Sequence, residues 1–205
     1  MKEKYIKILL WPLILFLSYL VINSIDSEIT FQKEAKIRID QNVQKLKDLR
    51  LLQVAYKKAN NEFCDNFDTL LSFYFNDSLF IVKAEGETPD SLSDKQALEM
   101  GIISRDTSYV SVRETLFDEV YKKTRNNSFP IDENNMTKIP FADINYNIDA
   151  GVINKGNVNV QVFEISAKYK DVLFGLNAKN KKYDLEKLLK VGSMNEASLN
   201  GNWGE

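Results

Sequence analysis

The sequence predicts an α+β protein with an N-terminal transmembrane helix, a long helical stalk able to form a coiled coil, and a small C-terminal mixed α/β domain with an antiparallel hairpin. Three observations predict it. The run Ile8–Ile25, ILLWPLILFLSYLVINSI, carries no charged residue. Residues 27–60 contain neither Gly nor Pro. Beyond them, short helical and alternating segments are separated by Gly and Asn.

As an α-helix, residues 8–25 span roughly 27 Å, close to the ~30 Å hydrocarbon core of a bilayer. The candidate anchor residues are Trp11, Pro12, Leu13, Leu15, Phe16 and Leu20, with the lipid bilayer as partner through residues 8–25. Pro12 falls early in the span, where a proline removes fewer helix hydrogen bonds than at its middle. Lys2, Lys4 and Lys7 stand against a single Glu3 in the preceding tail. The positive-inside bias therefore places residues 1–7 in the cytoplasm and the rest across the membrane. The competing reading is a cleaved signal peptide, but no A-x-A pattern follows the apolar run.

The stalk is assigned to residues 26–60. Gln32, Ala35, Ile39, Asn42, Leu46, Leu49, Gln53 and Tyr56 keep the 4-3 spacing of a heptad seam. Its apolar members, Ile39, Leu46, Leu49 and Tyr56, are the candidate contacts to a second copy or to another envelope protein. Three polar members weaken that seam, and an amphipathic helix folded back on its own domain is the alternative. Fully extended, a helix of this length would lift the body roughly 50 Å from the membrane. The apolar LLQVAY (51–56) marks entry into the body, and Asn60-Asn61 a helix stop.

The body is assigned to residues 61–192. A helix is expected over Phe67–Phe75, capped by Asp65 or Asn66. A strand is expected over Leu79–Ala84. Ser93-x-x-Gln96 reads as a capping box opening a short helix that ends at Gly101. Tyr109–Arg113 alternates as a strand, Thr115–Lys123 reads as helix, and Thr124–Lys138 as a polar surface loop. Ile144, Tyr146, Ile148 and Val158, Val160, Val162 alternate with polar neighbours around Asn154-Lys155-Gly156-Asn157, which predicts a hairpin with one face buried. Phe80, Tyr146 and Phe163 stand at core-like positions. Residues 193–205 form a polar tail whose Trp203 is a candidate contact, docking into its own domain or a partner's.

Composition limits the chemistry. There is no histidine and one cysteine, Cys64, so His-based triads and Cys-rich metal sites are excluded. No glycine-rich phosphate loop occurs. Net charge is −2, with no bulk attraction to nucleic acid. Asp143 with Asp149 is a chance carboxylate pair among 29 acids, and Asp132 with Glu133 lacks the spacing of a calcium loop. The expectation is no catalytic residue, no metal and no cofactor.

FDTLLSF (67–73), VKAEGETPDSL (82–92), GIISRDTSYVSVRETLF (101–117), VFEISAKYKDVLFGL (162–176) and the closing GNWGE are similar to segments of a group of uncharacterised single-pass envelope proteins of the Bacteroidota. That resemblance implies a Gram-negative inner membrane with the body in the periplasm, and carries over no functional residue. In plan, the chain also resembles inner-membrane assembly proteins of type II secretion and type IV pilus machines and, in part, cell-division scaffolds. It departs from pseudopilins in lacking a Gly-Phe cleavage site before the span and a Glu five residues into it. The leading expectation is a non-catalytic, membrane-anchored assembly protein. A pseudopilin-like subunit and an anchored ligand-binding domain are the alternatives.

Overall fold

The apolar run and the heptad series that follows it belong to one uninterrupted helix. In the computed structural model, which describes residues 2–87, 92–178 and 182–204 and the side chains of these except 2–9 and 81–84, α1 runs from Lys2 to Asn60. At 1.5 Å per residue its 59 residues measure roughly 88 Å. It passes through Pro12 without a break and ends where Asn61 turns left-handed, its N–H bonded to the Lys57 carbonyl at 2.8 Å. The basic side chains of Lys2, Lys4 and Lys7, and Thr88–Ser91 of the resemblance segment, lie outside the described residues.

The two halves of α1 have different surroundings. From Leu10 to Ile25 every side chain is exposed. From Phe31 onward one face is buried in the body, including Ala35, Leu46, Leu49 and Leu52. The stalk assignment 26–60 is corrected accordingly. Only about five residues separate the apolar run from the body, so the body begins directly after that run and the helix between them is not an extended stalk.

Around the second half of α1 the chain wraps α2 (Phe67–Asn76), α4 (Val112–Leu116) and a three-stranded antiparallel sheet, β3 (Asn147–Lys155), β4 (Val158–Lys168) and β5 (Leu188–Gly192), in the order β3-β4-β5. Asn66 caps α2 by accepting from the N–H groups of Asp68 and Thr69. A separate two-stranded ribbon joins β1 (Ser78–Glu85) to β2 (Ser104–Ser111), with α3 (Asp94–Glu99) between them; the Ser93/Gln96 capping box forms there as expected. The strand expected through Arg113 stops at Ser111, because Val112 buries its side chain and starts α4, donating its N–H to Asp77. The single helix expected over Thr115–Lys123 is broken at Phe117. Asp118 then caps a new helix, α5 (Glu119–Thr124), through the Tyr121 N–H at 2.7 Å.

The hairpin forms, with a different face inward on β4. Gly156 and Asn157 both take positive φ (58° and 67°), the geometry of a tight two-residue turn whose twist matches the strands. The register pairs Ile148 with Ile165 and Ala150 with Phe163. Even-numbered β3 residues therefore share a face with odd-numbered β4 residues. Phe163, Ile165 and Ala167 pack into the core beside Leu189 and Val191, whereas Val158, Val160 and Val162 lie on the opposite face, where Val162 alone of the three is buried. Ile144, expected on the inner face, is exposed.

The heptad positions are used within the chain. Ala35, Asn42, Leu46, Leu49 and Gln53 are fully buried, and Ile39 and Tyr56 pack on the same core. Replacing Leu46 and Leu49 with Lys is therefore expected to abolish the circular-dichroism signature of a folded body. Leu49→Ala alone is expected to cost about 3 kcal/mol in denaturant unfolding. A double-lysine chain that stays folded and merely changes oligomeric state would restore the intermolecular seam.

Candidate functional site

The exposed half of α1 is the first candidate site. Trp11, Leu13, Leu15, Phe16 and Leu20 all project from a helix with no other part of the described chain packed on it. Leaving this many large apolar side chains in water is unfavourable at about 25 cal/mol per Å². The helix is long and apolar enough to cross a membrane, and nothing in its own fold covers it. The chemistry it offers is contact with hydrocarbon.

Where α1 enters the body it becomes polar inside. Asp48 and Arg125 face each other with side chains only 4% exposed. The guanidinium grips the carboxylate with two N–H groups, Nη2 to Oδ2 at 2.7 Å and Nε to Oδ1 at 3.1 Å. Tyr121 Oη and Gln44 Nε2 also donate to Oδ1, at 2.7 and 3.0 Å. Burial and the neighbouring Asp48 charge raise the Tyr121 pKa, so the phenol stays a donor. The remaining Arg125 N–H group bonds the carbonyls of Phe129 and Asn126. Arg125 thus belongs to the interior, and the stretch Thr124–Lys138 is not the free surface loop its composition predicts. It also contributes the buried Met136 and a 3-10 turn at Glu133–Asn135.

Beside this pair a cleft of about 430 Å³ opens between α1 and that loop, lined by Gln41, Lys45, Phe129, Asp132 and Phe141 among others. Lys45 bonds the carbonyls of Asn135 and Lys138, and burial lowers its pKa against the pull of Asp132 and Asp48. Its cations are committed to the chain itself: Arg125 to Asp48, and Lys138 to Asp143 at 2.5 Å. The arrangement clamps the loop to α1.

The other residues singled out from the sequence are placed as follows. Gln53 brackets the Cys64 backbone, donating to its carbonyl at 2.6 Å and accepting its N–H at 3.0 Å. The Cys64 thiol is buried and donates to the Asn66 carbonyl, and burial raises its pKa away from the reactive thiolate. Asp143 and Asp149 are both exposed and so form no buried pair. Asp132 caps the 3-10 turn, and Glu133 holds Arg113 and accepts from Tyr74 Oη at 3.0 Å. Among the described residues no group of three or more acids and cysteines is placed to hold a metal ion.

Trp203 docks on its own domain. Residues 200–202 run along β5: Gly192 N–H donates to the Asn200 carbonyl, Asn202 N–H to that of Lys190, and Asn202 Nδ2 to that of Leu188. The ring then lies over Gly201 and against the main core. A Cβ on Gly201 would come within 2.2 Å of the indole, so only glycine fits beneath it.

One surface was missed in the sequence. Phe80, read as core, is 58% exposed, and its cross-strand partner Tyr109 is 75% exposed. Their rings meet edge to face at 5.6 Å on the two-stranded ribbon. Its aromatic character in an apolar segment made Phe80 look core-like, but on the ribbon nothing among the described residues covers it.

No family model, no curated protein and no solved structure matches this chain.

The Asp48–Arg125 pair yields a stability test. Arg125→Met strands a buried carboxylate and is expected to cost about 3–5 kcal/mol in denaturant unfolding. Adding Asp48→Leu should recover most of that loss. A single variant as stable as the parent would show that Asp48 is not buried.

Proposed function

We propose that this chain is a non-catalytic, single-pass membrane-anchored assembly protein of a bacterial envelope complex, with residues 1–7 cytoplasmic and the body acting through protein contacts in the periplasm. The observation that carries the reading is the division of α1: an uncharged, uncovered half of bilayer length continuing without a break into the core helix of a folded body. Any partner bound by the body is thereby held at the membrane surface. The segments that resemble Bacteroidota envelope proteins support a Gram-negative inner membrane, and the Lys2, Lys4, Lys7 cluster supports the orientation.

A second reading, a pseudopilin-like or secretion-machine subunit, is favoured by one feature. The half-exposed, half-packed helix against an antiparallel sheet would let the apolar half bundle with copies of itself in a filament. The absence of a Gly-Phe site before the span and of a Glu within it weighs against processing of that kind. An anchored ligand-binding domain finds less support, because the cations lining the cleft beside Asp48 hold the chain's own carbonyls and acids.

Topology is tested by alkaline phosphatase fused after Glu205 in a Gram-negative host. An active fusion that resists alkaline carbonate extraction is expected. Activity from a cytoplasmic reporter in its place would reverse the orientation, and a mature N-terminus near Asp26 would make the segment a cleaved signal.

Partner contact is tested at the ribbon. Exposed aromatic pairs are the usual anchors of protein interfaces, so Phe80→Ser with Tyr109→Ser is expected to reduce crosslinked partner recovery from native membranes at least tenfold. The far-ultraviolet circular dichroism should remain that of the parent. Undiminished recovery would remove the ribbon from the interface.

A further inference from the structure

The first turns of α1 beyond the apolar run carry a groove that no part of the reading above uses. It encloses about 650 Å³ between α1 and the segment before β5, lined by Phe31, Lys33, Lys36, Ile39, Lys182 and Tyr183, with Glu28 and Gln32 at its rim. Its floor is aromatic: Phe31 meets Tyr183 edge to face at 6.1 Å, and Tyr183 stacks on Tyr169 at 5.9 Å. Its walls are cationic. Lys33, Lys36 and Lys182 are exposed, and among the described residues no ion pair is formed by them. The one carboxylate at the rim, Glu28, accepts from Gln32 Nε2 at 3.0 Å.

Position decides what faces this groove. Phe31 lies six residues past Ile25, roughly 9 Å along the helix axis, and Lys36 roughly 16 Å. A headgroup layer extends about 5–8 Å beyond the hydrocarbon. Side chains on a helix tilt toward its N-terminus, here toward the span, and long lysines extend their ammonium groups to the interface. Reaching back along the helix, the Lys33 ammonium comes to the headgroup level and that of Lys36 stands at its outer edge. Ile25 and Ile29 are exposed on the same helix face as Lys33 and Lys36, between the apolar run and the groove. Three ammonium groups against one carboxylate select an anionic headgroup.

Resting on the anchor reading, we propose that this groove binds the headgroup of an anionic phospholipid of the adjoining leaflet: Lys33, Lys36 and Lys182 take the phosphate, and the half-buried Tyr183 packs against the rest of the headgroup. The bound lipid would fix the body's rotation about α1 relative to the membrane plane.

The test is native mass spectrometry of the full chain, titrated in detergent with phosphatidylglycerol and, separately, with phosphatidylcholine. Tighter binding of phosphatidylglycerol is expected, and each of Lys33→Gln, Lys36→Gln and Lys182→Gln should weaken it roughly fivefold. Charge-matched single controls, Lys58→Gln, Lys123→Gln or Lys155→Gln, should each leave it unchanged. Equal binding of the two lipids by a chain that resists carbonate extraction from membranes overturns this inference alone. A control that weakens binding as much as the groove variants also overturns it, reducing the effect to net charge. A chain that carbonate strips from membranes overturns the anchor reading and this inference together.

Discussion

Placing a carboxylate at Asp48, on a helix face otherwise lined by Leu46, Leu49 and Leu52, obliges the chain to bring it a partner. An unpaired buried charge is untenable, and the partner must be able to satisfy both oxygens at once. Arg125 does this with two N–H groups, and to reach Asp48 the chain must end α5, turn inward and return past Phe129. The loop that follows is then held at a second place by Lys45, through the carbonyls of Asn135 and Lys138. A stretch whose composition is that of a surface loop becomes a wall of the body. Such a pair adds little net stability over a well-packed apolar replacement; what it supplies is a single admissible path for some fifteen residues of backbone.

The same helix answers a second constraint of the opposite sign. Residues 10–25 carry no charge and offer a core no face to prefer, and the body leaves them bare. Its second half carries a mixed stripe and is enclosed. Because the two halves belong to one continuous helix, the environment of the first fixes the position of the second. The body begins within about two turns of the apolar run. The surfaces nearest that junction, notably the aromatic and lysine groove at Phe31 and Tyr183, are set at the height of lipid headgroups if the first half lies in a bilayer.

The ribbon β1–β2 is the opposite of the core sheet. It pairs only with itself, its base fixed by Leu79 packing on the core and by the Val112–Asp77 hydrogen bond. Two strands alone are marginal in water, and the Phe80–Tyr109 contact adds a cross-strand link to their pairing. Aromatic area left uncovered in this way is the feature of the body most in need of a partner.

How much of this was legible in the chain follows from the range of the interactions involved. Residues 8–25 declare themselves through the absence of charge, the Ser93 cap and a cap at Asp65 or Asn66 through bonds spanning two or three residues, and the Gly156-Asn157 turn through the conformations its residues tolerate. All are local, and the sequence determined them. It also determined that residues 31–56 would bury one helical stripe, since the 4-3 spacing is a property of the helix itself. What covers that stripe is not a local property. The polar members Asn42 and Gln53, which argue against a second helix, are explained only when Tyr146 Oη reaches the Asn42 Oδ1 at 2.5 Å and the Cys64 backbone closes on Gln53. These partners lie 104 and 11 residues away. Likewise, the inward face of β4 depends on the parity of its register with β3 and on what packs beneath. Both valine and phenylalanine sets alternate, so only the tertiary fold could choose Phe163, Ile165 and Ala167.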